Sequence, residues 1–153
     1  MEKFDCQVFE ISDSVSELID EGATVPLYIS GSSMNPFLIS RRDIVWLSSC
    51  TDADLKVGKI ILYKRVNGSL VLHRIVKLLP KGRFVVRGDA QIWTEEIDEE
   101  QIIAVVTDIQ RKGIKRSVDS TYWNIVDTLW KLLTPLRSII MRAWFKIKRM
   151  KTN

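Results

Sequence analysis

Three short segments of this sequence carry side chains that could together perform acyl-transfer chemistry. The first is Ser30–Pro36, a turn of small residues that follows a strand-like stretch and leads into an apolar pair. Such a turn can hold the hydroxyl of Ser33 clear of the backbone, with N–H groups nearby to bind an oxyanion. Taken alone, the heptapeptide is better explained as a simple Ser- and Gly-rich loop, because short motifs often match by chance.

The second segment contains His73, the only histidine in the chain, within the strand-like stretch 70–76. Strand alternation places its side chain on the same face as Val71 and Ile75, so we expect the imidazole to lie among apolar neighbours. Burial disfavours the charged form and keeps an imidazole neutral, as a general base requires. A purely structural strand histidine is the alternative interpretation.

The third segment is Arg87–Asp89, at the end of another strand-like stretch. A carboxylate here could accept the distal N–H of His73, which would fix the tautomer of the imidazole and stabilise the imidazolium formed during attack. Gly-Asp is also a common pair in surface turns, so a plain turn is the alternative.

The elements that must position these residues are predicted to be strands. Six stretches are rich in β-branched and aromatic residues: 24–30, 43–49, 59–66, 69–79, 83–88 and 102–110. Turn signals at Asn67-Gly68 and at 80–82 predict a three-stranded meander over residues 59–88. Because no helices alternate with these strands, we expect a mainly β fold, in the form of an antiparallel or mixed barrel-like sheet of about six strands.

Length and charge divide the chain further. With 153 residues it can form one domain with appendages, and we expect an N-terminal helix within 1–22, a β-rich domain over 23–112 and a helical tail over 113–153. Residues 1–110 hold 12 Lys and Arg against 17 Asp and Glu, whereas 111–153 hold 11 against 2. The tail is therefore strongly basic.

Compartment and cofactors follow from the cysteines and the N-terminus. The two cysteines stand far apart, outside any Cys-x-x-Cys pattern, so we expect no disulfide scaffold, metal ion or other cofactor. The acidic N-terminal segment has no apolar run long enough for a signal peptide or a membrane span. A cytoplasmic location is expected.

The order and spacing of the three segments resemble those of a known family. GSSMNP over 31–36, VGKIILYKRVNGSLVLHRIV over 57–76 and VVRGDA over 85–90 resemble the nucleophile, base and Gly-Asp boxes of the signal peptidase I and LexA-like serine peptidases, in the branch with a histidine base. The resemblance implies Ser33 as nucleophile and His73 as base. The orienting acid would be Asp89 or, alternatively, Glu95.

The same resemblance implies that the fold is a small coiled or partly open β-barrel of about six strands. It also implies a class of substrate and neighbouring site residues. Oxyanion and substrate binding would involve Ser32, Met34 and Pro36, and the peptide would add as a strand near residues 24–30. Cleavage would follow small residues in a leader- or signal-like peptide. The chain departs from the family in having Ala90 after the aspartate and in lacking the family's N-terminal transmembrane helix. Two alternatives remain, a self-cleaving LexA-like regulator and a non-catalytic membrane-associated binding module.

The tail predicts an amphipathic helix over 124–149, with basic residues along its polar side and tryptophans at a flank. Such a helix suits a membrane surface, so we expect peripheral attachment at the inner face of the cell membrane. Charged residues between Asp127 and Arg142 disfavour a spanning helix, and Pro135 should kink or split it. Packing on its own domain or on a partner is the alternative. We expect no nucleic-acid partner, because the basic residues are not gathered into a patch.

Overall fold

A computed structural model describes residues 14–133 and 136–150 of the chain. Residues 14–20 form a short helix, α1, on which Val15 and Ile19 are buried. The strands that follow are β1 (Val25–Tyr28), β2 (Asp43–Ser48), β3 (Ile60–Lys64), β4 (Leu70–Leu79), β5 (Arg83–Arg87), β6 (Glu95–Asp98), β7 (Ile102–Arg111) and β8 (Ile114–Ser117). A single 3-10 turn, Glu99–Gln101, joins β6 to β7, and the chain ends with helices α2 (Thr121–Leu132) and α3 (Arg137–Met150).

The eight strands form one antiparallel sheet in the order β1-β2-β7-β3-β4-β5-β6, and β8 pairs with β7 beside this path. The prediction of a mainly β fold is confirmed. The sheet has eight strands instead of about six, and it is not closed into a barrel within the described residues. The two unpredicted strands, β6 and β8, have the polar sequences EEID and IKRS, so neither shows the apolar alternation that marks a strand in a sequence.

The predicted meander over 59–88 is present as β3, β4 and β5. The β3–β4 loop closes with hydrogen bonds between Arg65 and Ser69 and from the Gly68 N–H to the Arg65 carbonyl, with Gly68 at φ +85°. The next turn places Lys81 and Gly82 at positive φ. These backbone angles explain why glycine appears at both turns.

Strand β4 changes partners along its length. Its first half pairs with β3, with His73 opposite Ile61, while β5 pairs with β4 only from Arg74 onward. One backbone edge of Leu70–His73 is therefore outside the β4–β5 ladder.

The core lies where β3, β4, β5 and β7 meet. Its main cluster comprises Leu55, Ile61, Tyr63, Ile75, Phe84, Val86, Ile97 and Val105. β3 is buried along almost its whole length because it lies between β4 and β7 in the sheet. The core thus fixes the strand that carries His73 and the strand paired with it.

The chain divides into two compact units, one ending at Ser117 and the other beginning at Val118. Strand β8 belongs to the first unit, so the sheet extends past the tail boundary predicted at residue 112. In the second unit, α2 and α3 lie on either side of Pro135, which is itself outside the described residues. Within the described part of the chain, none of the helices has the length and apolar character needed to cross a membrane.

Candidate active site

The loop after β1 carries Ser33 and is held in place by buried residues that follow the serine. Met34 and Leu38 are both buried, and the Leu38 N–H donates to the Met34 carbonyl over 2.8 Å. The Asn35 N–H donates to the Ser32 carbonyl over 3.1 Å, and the Asn35–Pro36 peptide is cis. Ser33 itself stays partly exposed. The loop therefore holds a serine at the surface by burying the residue that follows it.

His73 lies on β4 with only 1% of its surface exposed. Burial lowers the pKa of the imidazole below its ordinary value, although the negative charge of Glu95 opposes part of this effect. The neutral form expected from the sequence therefore predominates near pH 7. In this form one ring nitrogen can accept a proton.

Ser33 and His73 line the same pocket, which has a volume of about 570 Å³. One wall comes from residues 27–30 at the end of β1, and another from residues 69–73 at the start of β4. The pocket is largely apolar, with Leu27, Ile29, Met34, Leu62, Leu70, Val71 and Leu72 among its lining residues. The fold thus brings the candidate nucleophile and the candidate base, forty positions apart in sequence, to one cavity.

Asp89, the primary candidate for the orienting acid, lies in a buried ion pair with Arg74. Its two carboxylate oxygens accept hydrogen bonds of 3.0 and 2.9 Å from Arg74, and both side chains are buried. Arg74 also donates to the Gly58 carbonyl over 2.8 Å. Both carboxylate oxygens of Asp89 are therefore engaged by one guanidinium, while the negative charge of Asp89 raises the pKa of His73. The assignment of Asp89 as the orienting acid stays a prediction.

The alternative acid, Glu95, faces His73 through an intervening hydroxyl. The Tyr63 Oη lies 3.1 Å from His73 Nδ1 and donates to Glu95 Oε2 over 3.0 Å, while Nδ1 and Glu95 Oε1 are 4.0 Å apart. Arg65 binds both Glu95 oxygens through Nε and its terminal nitrogen. These Arg65 hydrogen bonds lower the pKa of Glu95 below its ordinary value.

Neither Tyr63 nor Arg65 was singled out from the sequence. A usable signal existed, since Ile61 is opposite His73 and Tyr63 lies two residues further along β3, on the same face and diagonal to the histidine. The Asn67-Gly68 turn signal fixed that register approximately. It could not show that the tyrosine hydroxyl is directed at the imidazole.

The third segment supports the nucleophile loop directly. The Ala90 N–H donates to the Ser33 carbonyl over 2.8 Å. A Cβ atom placed on Gly88 would lie 2.6 Å from the same carbonyl oxygen, closer than real contacts allow. Glycine at this position therefore permits the turn to approach the backbone of Ser33.

The three residues predicted for oxyanion and substrate binding have different positions. Met34 lines the pocket, whereas Ser32 and Pro36 are not among the residues that line it. Ser32 is exposed and holds the loop through its carbonyl. Of the three, Met34 alone lines the pocket shared by Ser33 and His73.

Other chemistries find less support. In the described ranges, 14–133 and 136–150, no three His, Cys, Asp or Glu side chains are grouped so as to hold a metal ion. Cys50 is a free thiol whose pKa is raised by burial, which makes it a poor nucleophile near pH 7. Ser33 and His73 remain the candidates for the reactive groups.

Comparison with known proteins adds no family. The chain matches no protein-family model, and a search of curated proteins also finds no match. A functional assignment therefore depends on the geometry of the pocket itself.

Proposed function

We propose that this protein is a serine endopeptidase of signal-peptidase type, with Ser33 as nucleophile and His73 as general base. The observation that carries the proposal is the pocket that both residues line, in which the serine is partly exposed and the imidazole is buried and neutral. A partly exposed hydroxyl and a neutral imidazole that share one pocket are the two groups that nucleophilic acyl transfer requires.

The reaction would proceed through an acyl-enzyme. The unprotonated ring nitrogen of His73 removes the Ser33 hydroxyl proton as the oxygen attacks the scissile carbonyl. The backbone N–H of Ser33 helps to bind the resulting oxyanion. His73 then gives its proton to the leaving amine as the C–N bond breaks. Water, deprotonated by the same imidazole, hydrolyses the ester and restores the Ser33 hydroxyl.

The substrate would bind as an added strand. β1 is an edge strand of the sheet. In β4, the segment Leu70–His73 pairs with β3 on one side but does not pair with β5 on the other. Both segments contribute walls to the pocket. An extended peptide here could exchange backbone hydrogen bonds with a strand edge and direct alternate side chains into the apolar cavity. We propose that the substrates are leader- or signal-like peptides, which are cleaved after small residues. We also propose that the sheet is related to the partly open barrel of the signal peptidase I and LexA-like superfamily.

The second compact unit would hold the enzyme at a membrane surface. Large apolar side chains of α2, α3 and the residues between them are exposed: Ile125, Leu129, Leu132, Leu133, Leu136, Ile139 and Ile147. Exposed cations accompany them, namely Lys131, Arg142, Lys146 and Arg149. Apolar side chains beside basic ones suit the surface of an anionic membrane, so we propose peripheral attachment at the cytoplasmic face.

Cleavage assays with a peptide mixture test the peptidase proposal. Products would be identified by mass spectrometry for the wild-type protein and for Ser33→Ala, His73→Ala and the double variant. Because the two side chains act as one unit, each single substitution should abolish detectable cleavage and the double should be no worse. Ser49→Ala, which changes an exposed serine just after β2, is the control. Full activity in either single variant would exclude the mechanism.

A further inference from the structure

We infer that Tyr63 is a positioning residue that links Glu95 to His73 and selects the imidazole tautomer protonated at Nδ1. The inference rests on the proposed function, since it assigns how the base of that peptidase is prepared. It differs from a triad in which a carboxylate contacts the histidine directly. Here a tyrosine hydroxyl stands between the two, with Oη 3.1 Å from His73 Nδ1 and 3.0 Å from Glu95 Oε2.

The direction of the two hydrogen bonds follows from counting protons. Glu95 is held in its ionised form by Arg65, and an ionised carboxylate can only accept hydrogen bonds. The single proton of the Tyr63 hydroxyl must therefore point to Glu95. The Tyr63 oxygen is left as an acceptor with two lone pairs, so it can accept from the Nδ1–H of His73 as well as from the Arg65 guanidinium.

The reversed arrangement is disfavoured by burial. If the Tyr63 proton pointed to Nδ1, the Tyr63 oxygen and Glu95 Oε2 would face each other at 3.0 Å with no proton between them. Tyr63 is fully buried, so water has little access to relieve such a contact. The charge of Glu95, transmitted through one hydroxyl, thus sets the tautomer of the imidazole.

The selected tautomer is the one that the proposed reaction needs. With Nδ1 protonated, Nε2 carries the lone pair that accepts the Ser33 proton. When the imidazolium forms, its Nδ1–H is bound by a hydroxyl that Glu95 polarises, and Glu95 Oε1 lies 4.0 Å from Nδ1. Arg65 holds the carboxylate in place. Tyr63, Glu95 and Arg65 therefore position and stabilise the base without touching the reacting atoms.

Nitrogen NMR of the wild-type protein tests the tautomer directly. Because the sequence contains one histidine, ¹⁵N-histidine labelling gives the signals of a single imidazole. Above the pKa of His73, we expect Nδ1 to show the shift of a protonated ring nitrogen and Nε2 that of an unprotonated one. The opposite assignment in the wild-type protein would overturn the inference, whatever its activity.

Glu95→Gln tests the cause. A glutamine amide can donate to the Tyr63 oxygen, which frees the hydroxyl proton to turn toward Nδ1, so the tautomer should switch to Nε2–H. Cleavage should fall by up to about 10⁴-fold, the loss that follows when the orienting carboxylate of a serine peptidase triad is replaced by an amide. Glu96→Gln, on the exposed face of the same strand, is the matched control and should change neither readout. An unchanged Nδ1–H tautomer in Glu95→Gln would overturn the inference.

Tyr63→Phe provides a second variant that keeps the ring in the core. It should abolish the preference for the Nδ1–H tautomer and reduce cleavage. The control is Tyr122→Phe, at a partly exposed tyrosine, which should change neither the tautomer nor the cleavage rate. An undiminished Nδ1–H preference in Tyr63→Phe would count against the inference. The NMR result stands apart from catalysis: if Ser33→Ala still cleaved peptides, the proposed function would fail while the tautomer would remain as measured.

Discussion

Arg74 and Asp89 form a buried ion pair in which each carboxylate oxygen accepts one hydrogen bond from the guanidinium, over 3.0 and 2.9 Å. The same guanidinium lies 4.6 Å above the ring centre of Phe37, in the loop that carries Ser33, and donates to the Gly58 carbonyl. Arg74 is also the residue after His73. One side chain therefore joins the strand that carries His73, the loop that carries Ser33 and the Gly-Asp turn.

Removing one member of this pair should destabilise the protein strongly. Asp89→Ala would leave a buried guanidinium without its counter-charge, and we expect the free energy of unfolding to fall by about 3–5 kcal/mol. Denaturant titration measures this loss. Glu96→Ala, which breaks an exposed pair with Arg83 at 3.5 Å, should cost less than about 1 kcal/mol. Similar losses in the two variants would contradict the structural role of Asp89.

Gly88→Ala should impair catalysis more than its small size suggests. The added Cβ would meet the Ser33 carbonyl oxygen at 2.6 Å, so the nucleophile loop and the turn must separate. We expect at least about a tenfold loss of cleavage, because small displacements of a reacting group are costly. In Gly22→Ala the new Cβ has open space and the strain comes only from φ +83°. That control should lose some stability and keep its cleavage rate.

Much of the β architecture could be predicted because its signals are local. The alternating strands and the Asn67-Gly68 turn place His73 beside Ile61, and six of the eight strands follow from residue type alone. The polar strands β6 and β8 could not be found in this way, since their pairing depends on the strands they join. Whether the sheet closes into a barrel also depends on how all the strands pair, so residue types within single strands do not predict it.

The site was only partly accessible to sequence reasoning. Ser33 and His73 stand out by residue type and by the motifs around them, whereas the roles of the two acids depend on which cation each one meets. Asp89 meets Arg74 and Glu95 meets Arg65. Nothing local in the sequence distinguishes these pairings, so only the three-dimensional arrangement assigns Glu95 to the histidine.

Cleavage should rise with pH through a midpoint below about 6.5, the ordinary pKa of histidine. Burial lowers the pKa of His73, while Glu95 and Asp89 raise it and Arg65 lowers it further. A profile of kcat/KM against pH measures this midpoint in the free enzyme. Glu95→Gln removes a negative charge and should shift the midpoint to lower pH. A wild-type midpoint above 7 would contradict a buried neutral base.

Stability should depend on pH in the same direction. Because the folded pKa of His73 is lowered, the unfolded chain binds more protons as pH falls below about 6.5, and the free energy of unfolding decreases. The lowered pKa of Glu95 adds a further loss at more acidic pH. Denaturation of the wild-type protein and of His73→Gln at several pH values separates the contribution of His73 from that of Glu95. The variant should lack the loss that begins near pH 6.5, and an identical pH dependence would exclude the histidine as its source.

The membrane proposal predicts binding to vesicles that contain anionic lipid. Leu129→Glu introduces a charge into the exposed apolar surface of α2, and we expect binding to weaken at least about tenfold because the burial of a leucine, worth about 1.5–3 kcal/mol, is lost. Cosedimentation with vesicles measures the effect, and raised salt should also weaken binding. Val66→Glu alters a fully exposed apolar residue of the first unit and is the control. Equal binding by both variants would exclude α2 as the membrane contact.

The most direct test of the account is to trap the acyl-enzyme. The protein would be mixed with a cleavable peptide, quenched in acid within the first turnover, digested and analysed by fragmentation mass spectrometry. We predict an acyl group from the amino-terminal half of the peptide on the Ser33 oxygen, and none in Ser33→Ala. An adduct on a different residue, or cleavage that continues in Ser33→Ala, would contradict the assignment of Ser33 as the nucleophile.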